Sequence, residues 1–162
     1  PSFELAEIAI ADEGTGIYNS ITQNHSHREY ITDNKKALQW ALKAGISEAF
    51  IPSAKQRDCN EWANSGFGLY MVSSICKYLN GSFCIISYGD YMLIDNHGIK
   101  YGETNFKGTA IRMRVPSKKI LNAQDIIAQI ATQGVMEAKT IRNAFKNASI
   151  PSKGLMSELN IY

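Results

Sequence analysis

The chain has 162 residues, of which 44% are hydrophobic and 20% charged. That length suits one domain of about 100–200 residues, with room for a helical appendage, and the composition excludes a disordered or low-complexity chain. Lys and Arg total 17 against 15 Asp and Glu, a net charge of +2. The excess is too small to point to nucleic acid, and no apolar run approaches the ~18 residues that span a membrane.

Residue 1 is Pro, and no signal-peptide pattern follows it, so the chain reads as cut from something longer. Cys59, Cys76 and Cys84 fit neither a disulfide framework nor a metal motif. They read as buried or idle thiols of a reducing cytoplasm. His25, His27 and His97 lack acidic or cysteine partners at ligand spacing, which argues against a metal site.

Residues 3–11 alternate apolar positions at Ala6, Ile8 and Ile10, which predicts a central strand. It runs into the turn cluster Asp12-Glu13-Gly14-Thr15-Gly16. Residues 17–32 read as polar and irregular. Asp33 is a predicted N-cap for a helix over 34–44, with Ala37, Leu38, Ala41 and Leu42 as its stripe and Gly45 as its stop. Residues 46–64 return to irregular character around Pro52, Lys55, Arg57 and Asp58.

Ser65-Gly66-Phe67-Gly68-Leu69 then opens a helix with Leu69, Val72, Ile75, Cys76 and Leu79 at helical spacing, closed by Gly81. Glycine running directly into a buried helix is a layout that suits phosphate. Residues 83–88 and 91–96 read as strands of a hairpin turning at Gly89-Asp90. Residues 97–107 read as a polar connection, and Gly108-Thr109 opens a last strand that ends at Pro116. Residues 122–148 read as two helices. Asn122 caps the first and Gly134 separates them. Ile126 and Ile130 mark one stripe, Ile141 and Phe145 the other. Those stripes pack on the domain's own sheet or form a partner surface. The tail beyond Pro151 reads as loose.

Each glycine motif alone is weak, since a turn after a strand or a tight helix entry explains it. Their order is what counts: strand, D-E-G-T-G, a long polar insert, G-F-G-L at a helix start, a hairpin, then K-G-T entering a strand. Over residues 4–116 this order resembles the histidine-kinase-like ATPase superfamily, which includes gyrase B, heat-shock chaperone ATPases, histidine kinases and MutL. The resemblance implies an α/β sandwich: a mixed, mostly antiparallel sheet with helices on one face, over residues 1–118. A helical extension over 119–162 would follow.

The resemblance implies ATP or ADP as ligand. Asp12 would accept from the adenine amine, a charged hydrogen bond of roughly 1.5–3 kcal/mol, or about 10- to 150-fold in affinity. Gly14 and Gly16 would let the backbone approach base and ribose, and the Thr109 hydroxyl would help hold the adenine. Gly66, Gly68 and the Leu69 amide would cradle the phosphates at a helix N-terminus. Phe67 departs from the richer glycine-leucine repeat of the family. Residues 17–65 would form the ATP lid, from which Lys55 and Arg57 either reach phosphate or stay solvated.

The family's magnesium-binding Asn lies on a helix ahead of the first motif. Only eleven residues precede Asp12 here, and they read as strand. The chain alone is therefore expected to lack the magnesium ligand and any catalytic base, Glu61 of the lid being the one acidic residue that could swing in. It also lacks a phospho-accepting histidine helix. The parent protein is expected to be a cytoplasmic signalling kinase that passes the γ-phosphate to a partner protein. The alternative is an ATP-gated interaction module without phosphotransfer; a third reading is a plain structural domain with a degenerate pocket. No nucleic-acid or membrane partner is expected.

Overall fold

The computed structural model describes residues 4–47, 65–117 and 122–144. In chain order the elements are β1 (Leu5–Asp12), α1 (Gly16–Ile21), α2 (His25–Arg28), α3 (Asn34–Ala41), α4 (Gly68–Tyr78), β2 (Ser82–Ser87), β3 (Asp90–Asp95), β4 (Gly98–Glu103), β5 (Thr109–Pro116) and α5 (Ala123–Thr140). The fold is α+β. Its five strands run in the order β1-β5-β2-β3-β4. Every pairing is antiparallel, so the described sheet is not mixed.

Residues directly opposite each other in antiparallel strands share a face. The register therefore lays out rows across the sheet. Ile10, Ile111, Ile85, Met92 and Tyr101 form one row; Ile8, Met113, Phe83, Ile94 and Ile99 form the next. The buried strand residues Phe83, Ile85, Ser87 and Met92 all fall on this face. They join Leu38 of α3, Met71 and Cys76 of α4 and Ile17 and Ile21 of α1 in one core. The helices thus cover one face of the sheet.

Their cover stops short of both edges. The expected central strand β1 is an edge strand, and all eight of its residues are exposed. Ile8 and Ile10 point to the helix-bearing face yet remain 55% and 67% exposed. The strand at the centre is β2, between β5 and β3, and β5 lies between it and β1. At the far edge, residues 98–103 of the supposed polar connection form β4.

The β2–β3 hairpin turns one residue earlier than the composition suggests. Tyr88 and Gly89 are its two loop residues, with φ of 50° and 97°. Two successive positive φ values are what a type I′ turn requires. At the end of α4, Asn80 rather than Gly81 takes the left-handed conformation, at φ 53°. The Asn80 N–H donates to Lys77 O and the Gly81 N–H to Cys76 O at 2.8 Å, a Schellman pair. Gly81 has a different reason to be glycine: a Cβ there would lie 2.2 Å from Arg114 O of β5.

Asp33 caps α3 as expected, accepting from the Lys36 N–H at 2.8 Å. Asn122 sits at the N-cap of α5 in the left-handed region, but its side chain makes no capping bond. Gly134 does not break α5, which runs through it as one helix. A Cβ on Gly134 would lie 2.5 Å from Tyr70 Cε1 of α4. The glycine admits the Tyr70 ring and lets the two helices pack closely. Ile130 is buried, and Ile126 and Ile141 are half-buried against the same core, so the described part of the stripe packs within the chain. Phe145 lies outside the described residues.

The segment expected to be irregular, 17–32, instead holds α1 and α2. It is anchored by buried Ile17, Ile21, His27 and Ile31, and the chain after α3 adds Ala44 and Ile46. His27 is almost fully buried, and neither ring nitrogen has a hydrogen-bond partner among the described residues. Its ring lies 5.7 Å from that of Trp40, which stacks on Tyr30. Burial pushes the His27 pKa below its ordinary value of 6.5.

Candidate functional site

The row that continues beyond Ile10, Ile111 and Ile85 is polar. Asp12 pairs with Thr109, and Thr109 with Ser87. All three lie on the helix-bearing face, side by side on three adjacent strands, at the end where β1 gives way to the first glycine turn. Two predicted site residues, Asp12 and Thr109, are thus neighbours although they stand far apart in the chain. Ser87 joins them unforeseen. The inward pattern Phe83, Ile85, Ser87 carried the signal, a serine where the alternation calls for an apolar residue.

Several short contacts hold this row. The Gly14 N–H donates to Asp12 Oδ1 at 2.7 Å, which leaves the second carboxylate oxygen for another donor. The buried Ser87 hydroxyl accepts from the Ile17 N–H at 2.8 Å, fixing the start of α1 over the row. Asp12 is exposed; Thr109 is half-buried.

The glycines divide by the reason each is there. Gly16 has φ of 80°, and a Cβ on it would lie 2.7 Å from the Tyr88 ring. Gly108 would bring a Cβ to 2.1 Å from Asp12 O. Gly66 has φ of 70°, its Cβ position is 2.1 Å from Ile46 O, and its carbonyl accepts from the Gly45 N–H at 3.2 Å. Chain packing accounts for all three. Gly14 is tight only against Asp12 Oδ1, at 2.8 Å. Gly68 stands apart: its φ is not positive and no atom lies within 4 Å of its Cβ position. No packing among the described residues demands glycine there.

A cavity of about 400 Å³ lies at this loop, lined by Gly66, Gly68 and Leu69 together with Ile17, Ser20 and Ile21 of α1. Its size falls within the ~300–1,000 Å³ usual for small-molecule sites. The amides of Gly68 and Leu69 open α4, where helical geometry offers no internal acceptor. The first amide to bond back is that of Met71, to Phe67 O at 2.9 Å.

The predicted residues therefore fall into two groups. Asp12, Gly14, Gly16 and Thr109 gather at the sheet end, and Gly66, Gly68 and Leu69 line the cavity. None of the first group is among the lining residues. The six-residue helix α1 links the groups: its first residues rest on Ser87, and Ile17, Ser20 and Ile21 line the cavity. Sequence reading missed α1 in this role. Lys55, Arg57 and Glu61 lie outside the described residues, as does Cys59. Cys76 and Cys84 are free thiols whose burial raises their pKa.

Among the described residues, no group of three His, Cys, Asp or Glu side chains could hold a metal ion, and no helix is long and apolar enough to cross a membrane. No family model, curated protein or solved structure matches the chain.

Proposed function

We propose that the chain binds an adenine nucleotide, as the ATP-binding part of a protein resembling the histidine-kinase-like ATPases. The observation that carries this reading is Gly68. It is a glycine that no described residue crowds, lining a cavity and standing at the first amides of an eleven-residue helix. A phosphate approaching those amides supplies a reason for the glycine. In this reading, Asp12 uses its free carboxylate oxygen to accept from the adenine amine. The Thr109 hydroxyl beside it adds a second polar contact, and Ser87 holds α1 between the base and phosphate ends.

The metal fits less well. The described residues offer no acidic cluster for magnesium. In the superfamily that ligand sits on a helix ahead of the first motif. The uncovered Ile8 and Ile10 present an apolar face on which such a helix could pack. With that helix, the parent would be a kinase passing phosphate to a protein acceptor. The alternative is a nucleotide-gated interaction module that binds without phosphotransfer.

Calorimetric titration of the 162-residue chain with ADP and ATP tests the binding claim. Saturable binding weakened by Asp12→Asn supports it. No heat and no thermal shift with either nucleotide would sink it. A phosphate-release assay then separates the readings: turnover above buffer background would exclude the non-catalytic one.

A further inference from the structure

The sheet edge opposite Asp12 carries a second set of features that nucleotide binding does not use. β4 pairs with β3 alone, so its other edge is open among the described residues. The register tells which backbone groups face outward. The Thr104 N–H donates to Gly89 O at 2.8 Å, so Thr104 and Gly89 form a hydrogen-bonded pair. Antiparallel ladders alternate such pairs with non-bonded ones. Gly98, Lys100 and Gly102 therefore bond to β3. The N–H and C=O groups of Ile99, Tyr101 and Glu103 point to the free edge.

The side chains of Ile99 and Tyr101 point elsewhere, to the helix-bearing face. There they line a largely apolar groove of about 350 Å³ with Leu42, Met92, Ile94 and Lys77. Ile99 is 55% and Tyr101 38% exposed. The groove has a direction. Gln39 Nε2 donates to the Tyr101 hydroxyl at 2.8 Å, which closes one end against α3. Asn96 of the β3–β4 turn donates through Nδ2 to Asn80 O, which brings the C-terminal end of α4, with Lys77, to the Ile99 end. Lys77 is exposed and makes no ion pair among the described residues.

An open strand edge running beside an apolar groove selects its occupant. A helix or a lipid cannot satisfy a row of backbone donors and acceptors; an extended peptide can. Antiparallel addition is the more stable choice. A peptide laid that way along β4 runs from Glu103 toward Gly98. Its residues opposite Tyr101 and Ile99 send their side chains into the groove, two positions apart. Its C-terminal end arrives at Lys77. We propose that β4 and this groove bind an extended segment of a partner protein. That segment carries two aliphatic residues in alternation, followed by an acidic residue or a free carboxylate at Lys77.

The test is fluorescence polarisation with labelled hexapeptides bearing aliphatic residues at their second and fourth positions and Glu at the sixth, against scrambled controls and versions ending in Lys. Binding of the Glu-ended peptides at least tenfold tighter than the controls is expected. Lys77→Glu should reverse the preference toward the Lys-ended peptides. Ile99→Asp should abolish binding while the circular dichroism spectrum is unchanged, since Ile99 is exposed and carries little of the core. Backbone N-methylation of the amide facing Tyr101 should weaken binding by tenfold or more. Three results would overturn the proposal: no hexapeptide binding better than its scrambled control, a preference indifferent to Lys77→Glu, or a dimer in light scattering that Ile99→Asp dissolves, which would give the edge to a second copy of this chain.

Discussion

Replacing Gly68 with Ala should move stability and nucleotide affinity in opposite directions. Gly68 is the first residue of α4, its φ is not positive, and its Cβ position is open to 4 Å. A methyl group there clashes with no described residue and narrows the unfolded ensemble, a gain of about 0.4–1 kcal/mol. For a domain of this size that corresponds to roughly 1–4 °C in Tm. A phosphate oxygen approaching the Gly68 and Leu69 amides meets the same methyl. Losing one hydrogen bond to a charged group costs about 1.5–3 kcal/mol, or roughly 10- to 150-fold in Kd. Differential scanning calorimetry and titration with ADP read the two effects on one sample. Gly66→Ala is the control with a different sign, because a Cβ there lies 2.1 Å from Ile46 O and φ is 70°; it should lower Tm. A more stable Gly68→Ala chain that binds ADP like the parent would refute the phosphate assignment. A less stable one would refute the geometry.

Asp12→Asn should weaken ADP at least tenfold in the same titration, with little change in Tm because Asp12 is exposed. Gly134→Ala should destabilise by about 1–3 kcal/mol in urea despite alanine's better helix propensity, since the new methyl lies 2.5 Å from the Tyr70 ring. His27 gives a pH dependence of defined sign. Its folded pKa is depressed below 6.5, so the neutral ring is favoured in the fold. That contribution is fully present above about pH 6.5 and falls away as the pH drops toward the folded value. Urea midpoints between pH 7 and 5 should decline, and His27→Leu should flatten the decline; an equal slope in both proteins would place the acid sensitivity elsewhere.

The elements with strong periodicity are legible in the sequence alone. Phe83 and Ile85 alternate cleanly, Leu69 to Leu79 recur at helical spacing, and Asp33 has the chemistry of a cap. What escaped was decided by tertiary contact. β4 reads G-I-K-Y-G-E, where two glycines and two charges mask an alternation carried by Ile99 and Tyr101 alone. α1 and α2 are six and four residues of mostly polar character, too short for a period to show, and are held by Ile17, Ile21 and His27 in the core. Gly134 reads as a breaker until the Tyr70 ring is seen against it. The central place given to β1 failed because alternation reports which face is apolar, not whether anything covers it. At the site, the pairing of Asp12 with Thr109 agrees with the order of the motifs. Ser87 was hidden because a lone serine at a strand end has many uses.

The contact between Gly134 and Tyr70 sets a mechanical consequence. α4 is a stiff rod with the Gly66–Gly68 loop at one end, the Asn80 turn and Lys77 at the other, and α5 geared into its side without a side chain to cushion the fit. A ring against a bare backbone fixes how closely the two helices approach, so any side chain at position 134 must part them or turn the Tyr70 ring aside.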